Sequence, residues 1–557
     1  MSGPGPRAYP PDISWSDPFD AMPVWQMLDR SVERFARRPC LDFFGRKYSY
    51  AETGRLVDRA AAGLQALGLA KGDRVGMFLP NCPYMVIMTF AVLKAGGIVV
   101  NFNPLYAEHE VEHQIKDSGT RFMVTLDLAP IYPKVDKMLG RTGLDAIIVC
   151  SMAGSLPLPL RLAYPLARRR DIARWRRDDR HIAFRDLVGH GARPRPVPCE
   201  PATEVALLQY TGGTTGIPKG AMLSHANITV NCQQCLRWDT RRAEGGERVL
   251  AVLPFFHVFG LTAVEMLSIM GGDEIVLIPR FELQPLLKLI QRKRPTLFPG
   301  VPTLYAAINN CKDIGRYDLS SIRACISGGA PLPAEVKRDF ERLTGCSLVE
   351  GYGLSETSPV VCTNPLYSET KPGSVGLPMP CTTIEILSLD DPDTLMPQGE
   401  RGEVAIRGPQ VMLGYWNRPD ETALVLKDGR LRTGDVGYID EDGFVFLVDR
   451  IKDLIIAGGF NVYPRQVEEA IYEHPDVAEC CVVGVPDAYR GQTVKAFVAL
   501  REGKALDEAG LLAFLDGRLS RIEMPRLIEF RASLPKTQIG KLSKKTLLDE
   551  EAAKRPG

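Results

Sequence analysis

The residues best suited to chemistry lie at 210–220, YTGGTTGIPKG, where four glycines, three threonines and one lysine follow the apolar run VALLQ at 205–209. Gly212, Gly213 and Gly216 allow a tight backbone that turns several N–H groups onto one anion. Thr211, Thr214 and Thr215 add hydroxyl donors, and Lys219 adds a mobile positive charge. Such a loop suits a nucleotide polyphosphate. It is not a Walker loop, because Lys219 stands between Pro218 and Gly220 instead of inside GxxxxGK[ST].

The elements around this loop belong to a large protein. At 557 residues the chain exceeds one hydrophobic core, so at least two domains are expected. With 68 basic and 67 acidic residues the net charge is +1, which excludes a general electrostatic nucleic-acid binder. Thirteen cysteines without spacing order suit reduced thiols in a cytoplasmic setting. The CxxC at Cys232 and Cys235 has no second pair or histidine cluster, so it reads as helix thiols and not a metal or redox site. The apolar stretch 84–100 is broken by Lys94, Gly96 and Gly97 and cannot span a membrane. Residues 1–20 lack the apolar core of a signal peptide and read as a loose leader.

From Ser49 onward strands alternate with helices. The pattern predicts helices near 49–67, 81–94 and 108–117, and strands at 74–79, 98–102 and 121–125. This is an α/β pattern, with a parallel sheet whose ligand sites lie beyond the strands' carboxyl ends. The expected organisation is a large N-terminal domain of layered sheets and helices over 21–449, and a smaller α+β lobe over 450–557. Residues 156–191 break the texture, because arginines crowd there among leucines, a tyrosine and a tryptophan. Three readings stand for this insertion: a solvated segment pairing with Asp171, Asp178 and Asp179, a membrane-surface element whose cations attract anionic lipid, or a local nucleic-acid contact.

Further motifs follow in order: LPFFHVFG at 253–260, PGVPTLY at 299–305, SGGAPLP at 327–333, EGYGLSET at 350–357, RTGDVG at 432–437, DRIKD at 449–453 and LPKTQIGK at 534–541. Together with the 210–220 loop they resemble the adenylate-forming superfamily over roughly 25–550. The chain is most similar there to bacterial long-chain fatty acyl-CoA ligases, including their dicarboxylate-CoA ligase relatives. The resemblance implies ATP, Mg2+ and CoA as reactants and helpers, a fatty acid as substrate, and a small lobe that moves between two half-reactions. The cysteine usage and the insertion add the expectation of a cytoplasmic enzyme, peripheral at the inner membrane face if the insertion binds lipid. Neighbouring alternatives are a fatty acyl-AMP ligase that loads a carrier protein, an aryl- or dicarboxylate-CoA ligase, and a non-catalytic acyl- or nucleotide-binding protein.

The resemblance also implies residue roles. Thr211 through Lys219 would hold the β- and γ-phosphates. Tyr352, flanked by Gly351 and Gly353, would stack on adenine, and Ser355 would stand near the α-phosphate where most relatives carry threonine. Glu356 would be the magnesium carboxylate, Asp435 the acceptor for the ribose hydroxyls, and Arg450 their second contact. Lys541 would bridge the substrate carboxylate and the α-phosphate as the catalytic lysine, although LSKK at 542–545 replaces a more arginine-rich run. Lys452 would be the hinge, and Gly458 and Gly459 would admit the CoA arm. His257 would sit beside the substrate carboxylate, with Gly260, Gly328, Gly329 and Ala330 leaving room for the acyl chain. The absence of an acidic residue within 255–261 weighs against amino-acid activation.

Overall fold

Four apolar strands, Arg74–Phe78, Ile98–Asn101, Thr120–Leu126 and Ala146–Cys150, are separated by helices that return each strand parallel to its predecessor. In the computed structural model, which describes residues 8–189, 191, 193–211, 218–457, 460–487, 489–536 and 542–554, they form the middle of an eight-stranded sheet. Its order is Gly414–Tyr415, Lys219–Ser224, Val205–Thr211, Ile98–Asn101, Arg74–Phe78, Thr120–Leu126, Ala146–Cys150, His181–Ala183. The hairpin Val205–Thr211/Lys219–Ser224 is antiparallel, so Thr211 and Lys219 stand opposite each other at the sheet's carboxyl edge.

Local chemistry explains the helices that cover this sheet. Ser49 caps Tyr50–Ala66, its hydroxyl accepting the Glu52 N–H at 3.1 Å. Pro83 opens Pro83–Lys94, whose residues up to Leu93 are all buried, so this is the central helix of the large domain and not an amphipathic cover. Three further sheets complete the large domain. One runs Arg248–Ala251, Glu274–Leu277, Pro39–Phe43, Arg46–Ser49, and another runs Ala324–Ser327, Ser347–Gly353, Val360–Thr363, Leu377–Pro378. The third joins Thr383–Leu387, Gly402–Arg407, Arg430–Ile439, Leu426–Lys427 and Val445–Arg450. Arg450, assigned from sequence to the small lobe, therefore belongs by pairing to this last sheet, opposite Asp435.

The small lobe packs the helices Pro464–Tyr472 and Glu508–Leu515 on a sheet whose long strands, Val477–Asp487 and Gly491–Leu500, pair antiparallel. Lys544–Ala553 closes the sheet's other face through Leu547. Asp449 braces the junction, because its carboxylate accepts the Arg450 N–H at 2.8 Å and the Arg465 N–H at 2.8 Å. Arg501 reaches Glu335 of the large domain at 3.1 Å.

Residues 8–20 are not a loose leader. Ile13 is buried with Trp238, Leu377, Met379 and Phe444, and the Trp15 carbonyl accepts the Cys381 N–H at 2.8 Å. Single anchoring residues hold this proline-rich stretch, so it carries no periodic signal. The insertion over 156–191 is also narrower than its composition implies, since His181–Ala183 completes the edge of the main sheet. Among the described residues no helix is long and apolar enough to cross a membrane.

Candidate active site

The register of the hairpin sets one end of the site. Thr211 faces Lys219 across the strands, with Thr211 Oγ1 donating to the Lys219 carbonyl at 3.5 Å. Gly212, Gly213, Thr214, Thr215 and Gly216 lie outside the described residues. The Lys219 ammonium pairs with Glu421 and stands 5.3 Å from the centre of the Tyr415 ring. Tyr415 is delivered by the short strand that pairs with Lys219–Ser224, and its hydroxyl donates to Glu356 Oε1 at 2.8 Å. A lysine, two carboxylates and a phenol therefore converge beside the loop. Sequence reasoning named Lys219 and Glu356 but missed Tyr415 and Glu421. No local spacing connects Tyr415 to a glutamate 59 residues earlier.

The second end is a buried corner. Asp435, 5% exposed, accepts the Tyr352 hydroxyl at 2.6 Å on one oxygen and Arg450 Nε at 3.1 Å on the other. Burial, and then the Asp435 carboxylate, push the Tyr352 phenol well above its usual range, so it stays a donor. The approach to this corner is shaped by the turn at Gly434, whose φ of +71° favours glycine. Glu403 fixes that turn, accepting the Gly434 N–H at 3.0 Å and pairing with Arg432 at 2.7 Å. A cleft of about 320 Å³ opens between the two ends, lined by Leu354, Glu356, Tyr415, Thr433 and Gly434 among others. Ser355 stands in the short turn Ser355–Thr357 at its rim, held because Thr357 Oγ1 accepts the Leu354 N–H at 3.0 Å. Gly353 allows the strand to approach the Pro359 carbonyl, which a Cβ would meet at 2.0 Å.

The His257 loop is placed by distant amides. Asn81 Nδ2 donates to the carbonyls of Ala251 and Leu253 at 3.0 and 2.8 Å, and Asn81 Oδ1 accepts the Phe255 N–H at 2.8 Å. Gln209 Nε2, on the strand leading to the phosphate loop, donates to the Phe256 carbonyl at 3.0 Å. His257 Nδ1 then accepts the Phe259 N–H at 3.4 Å, starting the next helical turn. Gly260 and Gly328 make room for protein atoms along their Cβ directions, which point at the Pro254 carbonyl (2.2 Å) and the Phe259 ring (2.9 Å). Gly329 has a φ of +79° and Ala330 follows it, half-buried, beside the strand carrying Ser327. Lys452 lies in the short turn Ile451–Asp453 between the lobes. Gly458, Gly459 and Lys541 fall outside the described residues. Cys232 and Cys235 lie on one helix as thiols, and all thirteen cysteines are free.

Two family descriptions match this chain: AMP-binding enzyme over residues 28–416 and AMP-binding enzyme C-terminal domain over residues 466–541. The chain belongs to the AMP-binding enzyme family. Among relatives in this family, a long-chain-fatty-acid–CoA ligase of Bacillus subtilis is 46% identical over 554 residues, covering 98% of this chain and 97% of the relative. One of Escherichia coli with the same name is 37% identical, covering 98% of each chain. The crystal structure of ATP-bound MatB from Rhodopseudomonas palustris superposes with a TM-score of 0.82 at 29% identity, covering 96% of this chain and 99% of that one. The AMP-binding match ends at Tyr415 and Trp416, so it contains the Lys219–Tyr415–Glu356 cluster, while Asp435 and Arg450 lie between the two matches.

Proposed function

We propose that this protein is an ATP-dependent long-chain fatty acyl-CoA ligase. A fatty carboxylate attacks the α-phosphorus of ATP, forming the acyl-phosphate bond as the bond to pyrophosphate breaks. The CoA thiol, losing its proton, then attacks the acyl carbon and displaces AMP. The observation that carries the reading is the 46% identity to a ligase so named, extending over 98% of the chain.

The first step brings an anion onto an anion, so positioning and charge neutralisation dominate its barrier. Thr211 and Lys219 stand where the loop would grip the leaving pyrophosphate. Asp435 takes the ribose hydroxyls, with Arg450 beside it and the Tyr352 ring held by its hydroxyl for stacking on adenine. Lys541 neutralises charge between the attacking carboxylate and the α-phosphate. His257 flanks that carboxylate, and Ser355 offers a hydroxyl to the α-phosphate. Glu356, which accepts the Tyr415 hydroxyl on Oε1, is a hard carboxylate of the kind that holds magnesium alongside substrate phosphates. Magnesium bound there would lower the charge on the phosphate oxygens. Lys219 must leave Glu421 to reach phosphate, so ATP and Glu421 compete for one cation.

Rotation of the small lobe about Lys452 would withdraw Lys541 and bring Gly458 and Gly459 to the adenylate for the second step. The reading is tested by measuring AMP release with and without CoA across short, medium, long, dicarboxylic and aromatic acids. CoA-dependent release highest with long-chain acids is expected; a preference for aromatic or dicarboxylic acids would overturn the substrate assignment.

A further inference from the structure

The segment Leu158–Ala167 is a ten-residue helix with no buried residue. Leu158, Leu162 and Leu166 recur every four positions and so share one face. They are 68%, 68% and 85% exposed, while Tyr164 on the opposite face is half-buried against the main core. Single exposed leucines are ordinary on a soluble protein; three aligned along one helix are a patch that calls for a partner.

The charge around the patch is equally one-sided. Between Arg161 and Arg177 there are seven arginines and one carboxylate, Asp171. Arg168 pairs with Asp171 at 3.4 Å. Among the described residues Arg161, Arg169, Arg170, Arg174, Arg176 and Arg177 form no ion pair, and all are exposed. Asp178 is turned instead to His181, 2.7 Å from its Nδ1. Among the described residues the salt bridges of this insertion to Asp171, Asp178 and Asp179 are therefore limited to the Arg168–Asp171 pair and the Asp178–His181 contact.

The platform under the helix is fixed. Asp127 Oδ1 accepts the Met152 N–H at 2.7 Å, the Asp127 carbonyl accepts the Ala173 N–H at 2.9 Å, and the Asp171 carbonyl accepts the Ala129 N–H at 2.8 Å. These bonds tie both ends of the segment to the carboxyl end of the strand Thr120–Leu126. The strands leading to the helix and to the phosphate loop end on the same sheet edge, four strand spacings, or about 19 Å, apart.

We infer that this helix docks the protein on an anionic lipid surface, lying in the plane of the headgroups with its leucines in the acyl boundary, and with Arg161 and the arginines that follow the helix at 169–177 on lipid phosphates. Ten residues make a helix about 15 Å long, which can lie on a bilayer but not cross it. The charge selects the occupant: an apolar stripe flanked by unpaired cations is complementary to an anionic membrane. A neutral protein groove would leave the arginines unmatched, and a nucleic acid would leave the leucines exposed.

The test uses the full chain without substrates, floated with vesicles of phosphatidylcholine alone or mixed with phosphatidylglycerol. Flotation with the mixed vesicles only, weakened by added salt, is expected. Arg169→Ala/Arg170→Ala/Arg174→Ala should weaken partitioning roughly fivefold per arginine, on the order of 100-fold together. Leu162→Ser/Leu166→Ser should weaken it about tenfold per leucine. Both variants should keep wild-type activity on an acid dissolved in vesicle-free buffer, which shows that they fold. Variants that float like the wild type, or a wild type that does not float, would overturn the inference. So would retention of a labelled oligonucleotide that depends on the arginines but not the leucines, or a homodimer in sedimentation that the leucine variant abolishes.

Discussion

The Asp435 corner and the arginine-rich insertion handle charge in opposite ways. At the corner one buried carboxylate is held by a phenol and a guanidinium in fixed directions. On the insertion six exposed guanidiniums, Arg161 on the helix and five in the segment after it, have no carboxylate partner among the described residues. A compact ligand with defined hydroxyls needs the first arrangement, because recognition there depends on direction and on prepaid desolvation. An extended anionic surface needs the second, because only net charge and apolar area count there. The state of pairing, more than residue type, tells the two kinds of site apart.

Breaking the chemistry should give the largest effects. Lys541→Ala should lower the rate of adenylate formation on the order of 10²–10³-fold, as removal of one transition-state donor does; near-normal ATP–pyrophosphate exchange would remove Lys541 from its role. Asp435→Ala leaves Tyr352 and Arg450 without their shared acceptor, and kcat/KM for ATP should fall about 10–100-fold, the scale of one or two charge-assisted hydrogen bonds. A fall no larger than that of a surface substitution would make the corner a structural pair. Lys452→Pro should stiffen the junction and spare one half-reaction more than the other, measured as pyrophosphate exchange against thioester formation. Equal loss of both would count against a hinge.

Glu265 sharpens the comparison from a third side. It is wholly buried, neither oxygen has a hydrogen-bond partner among the described residues, and burial raises its carboxyl well above the usual range. The folded protein therefore holds a proton there that the unfolded chain releases near pH 4.3. Its stability contribution is intact below that pH and declines as pH rises, by about 1.4 kcal/mol per unit until the folded group itself ionises. Glu265→Gln should leave the melting temperature unchanged near pH 4 and raise it at pH 8. A constant difference across that range would show that the carboxyl does not titrate with unfolding.

Much of the scaffold was legible because it is local. The helices expected near 49–67, 81–94 and 108–117 and the short apolar strands expected at 74–79, 98–102 and 121–125 depend on neighbouring residues, and the structure places them within a few positions of expectation. The site was half legible. Lys219, Glu356, Tyr352, Asp435 and Arg450 stand in compact motifs, but their mutual geometry arises from pairings across the fold. Tyr415 reaches Glu356 only because Gly414–Tyr415 adds an edge strand to the main sheet. Residues 8–20 dock through Ile13 and Trp15, isolated contacts that no periodicity announces. The strand His181–Ala183 is three residues long and hidden behind an arginine-rich run.

The central claim is that one site first makes an acyl-adenylate and then passes the acyl group to CoA. The most direct measurement is a single turnover with enzyme in excess over ATP, a long-chain fatty acid and magnesium, first without CoA and then with it. The account predicts that acyl-adenylate and pyrophosphate accumulate together in the first stage, and that CoA converts the adenylate to acyl-CoA and AMP. An adenylate that persists after CoA is added, or none formed from any long-chain acid, would contradict it.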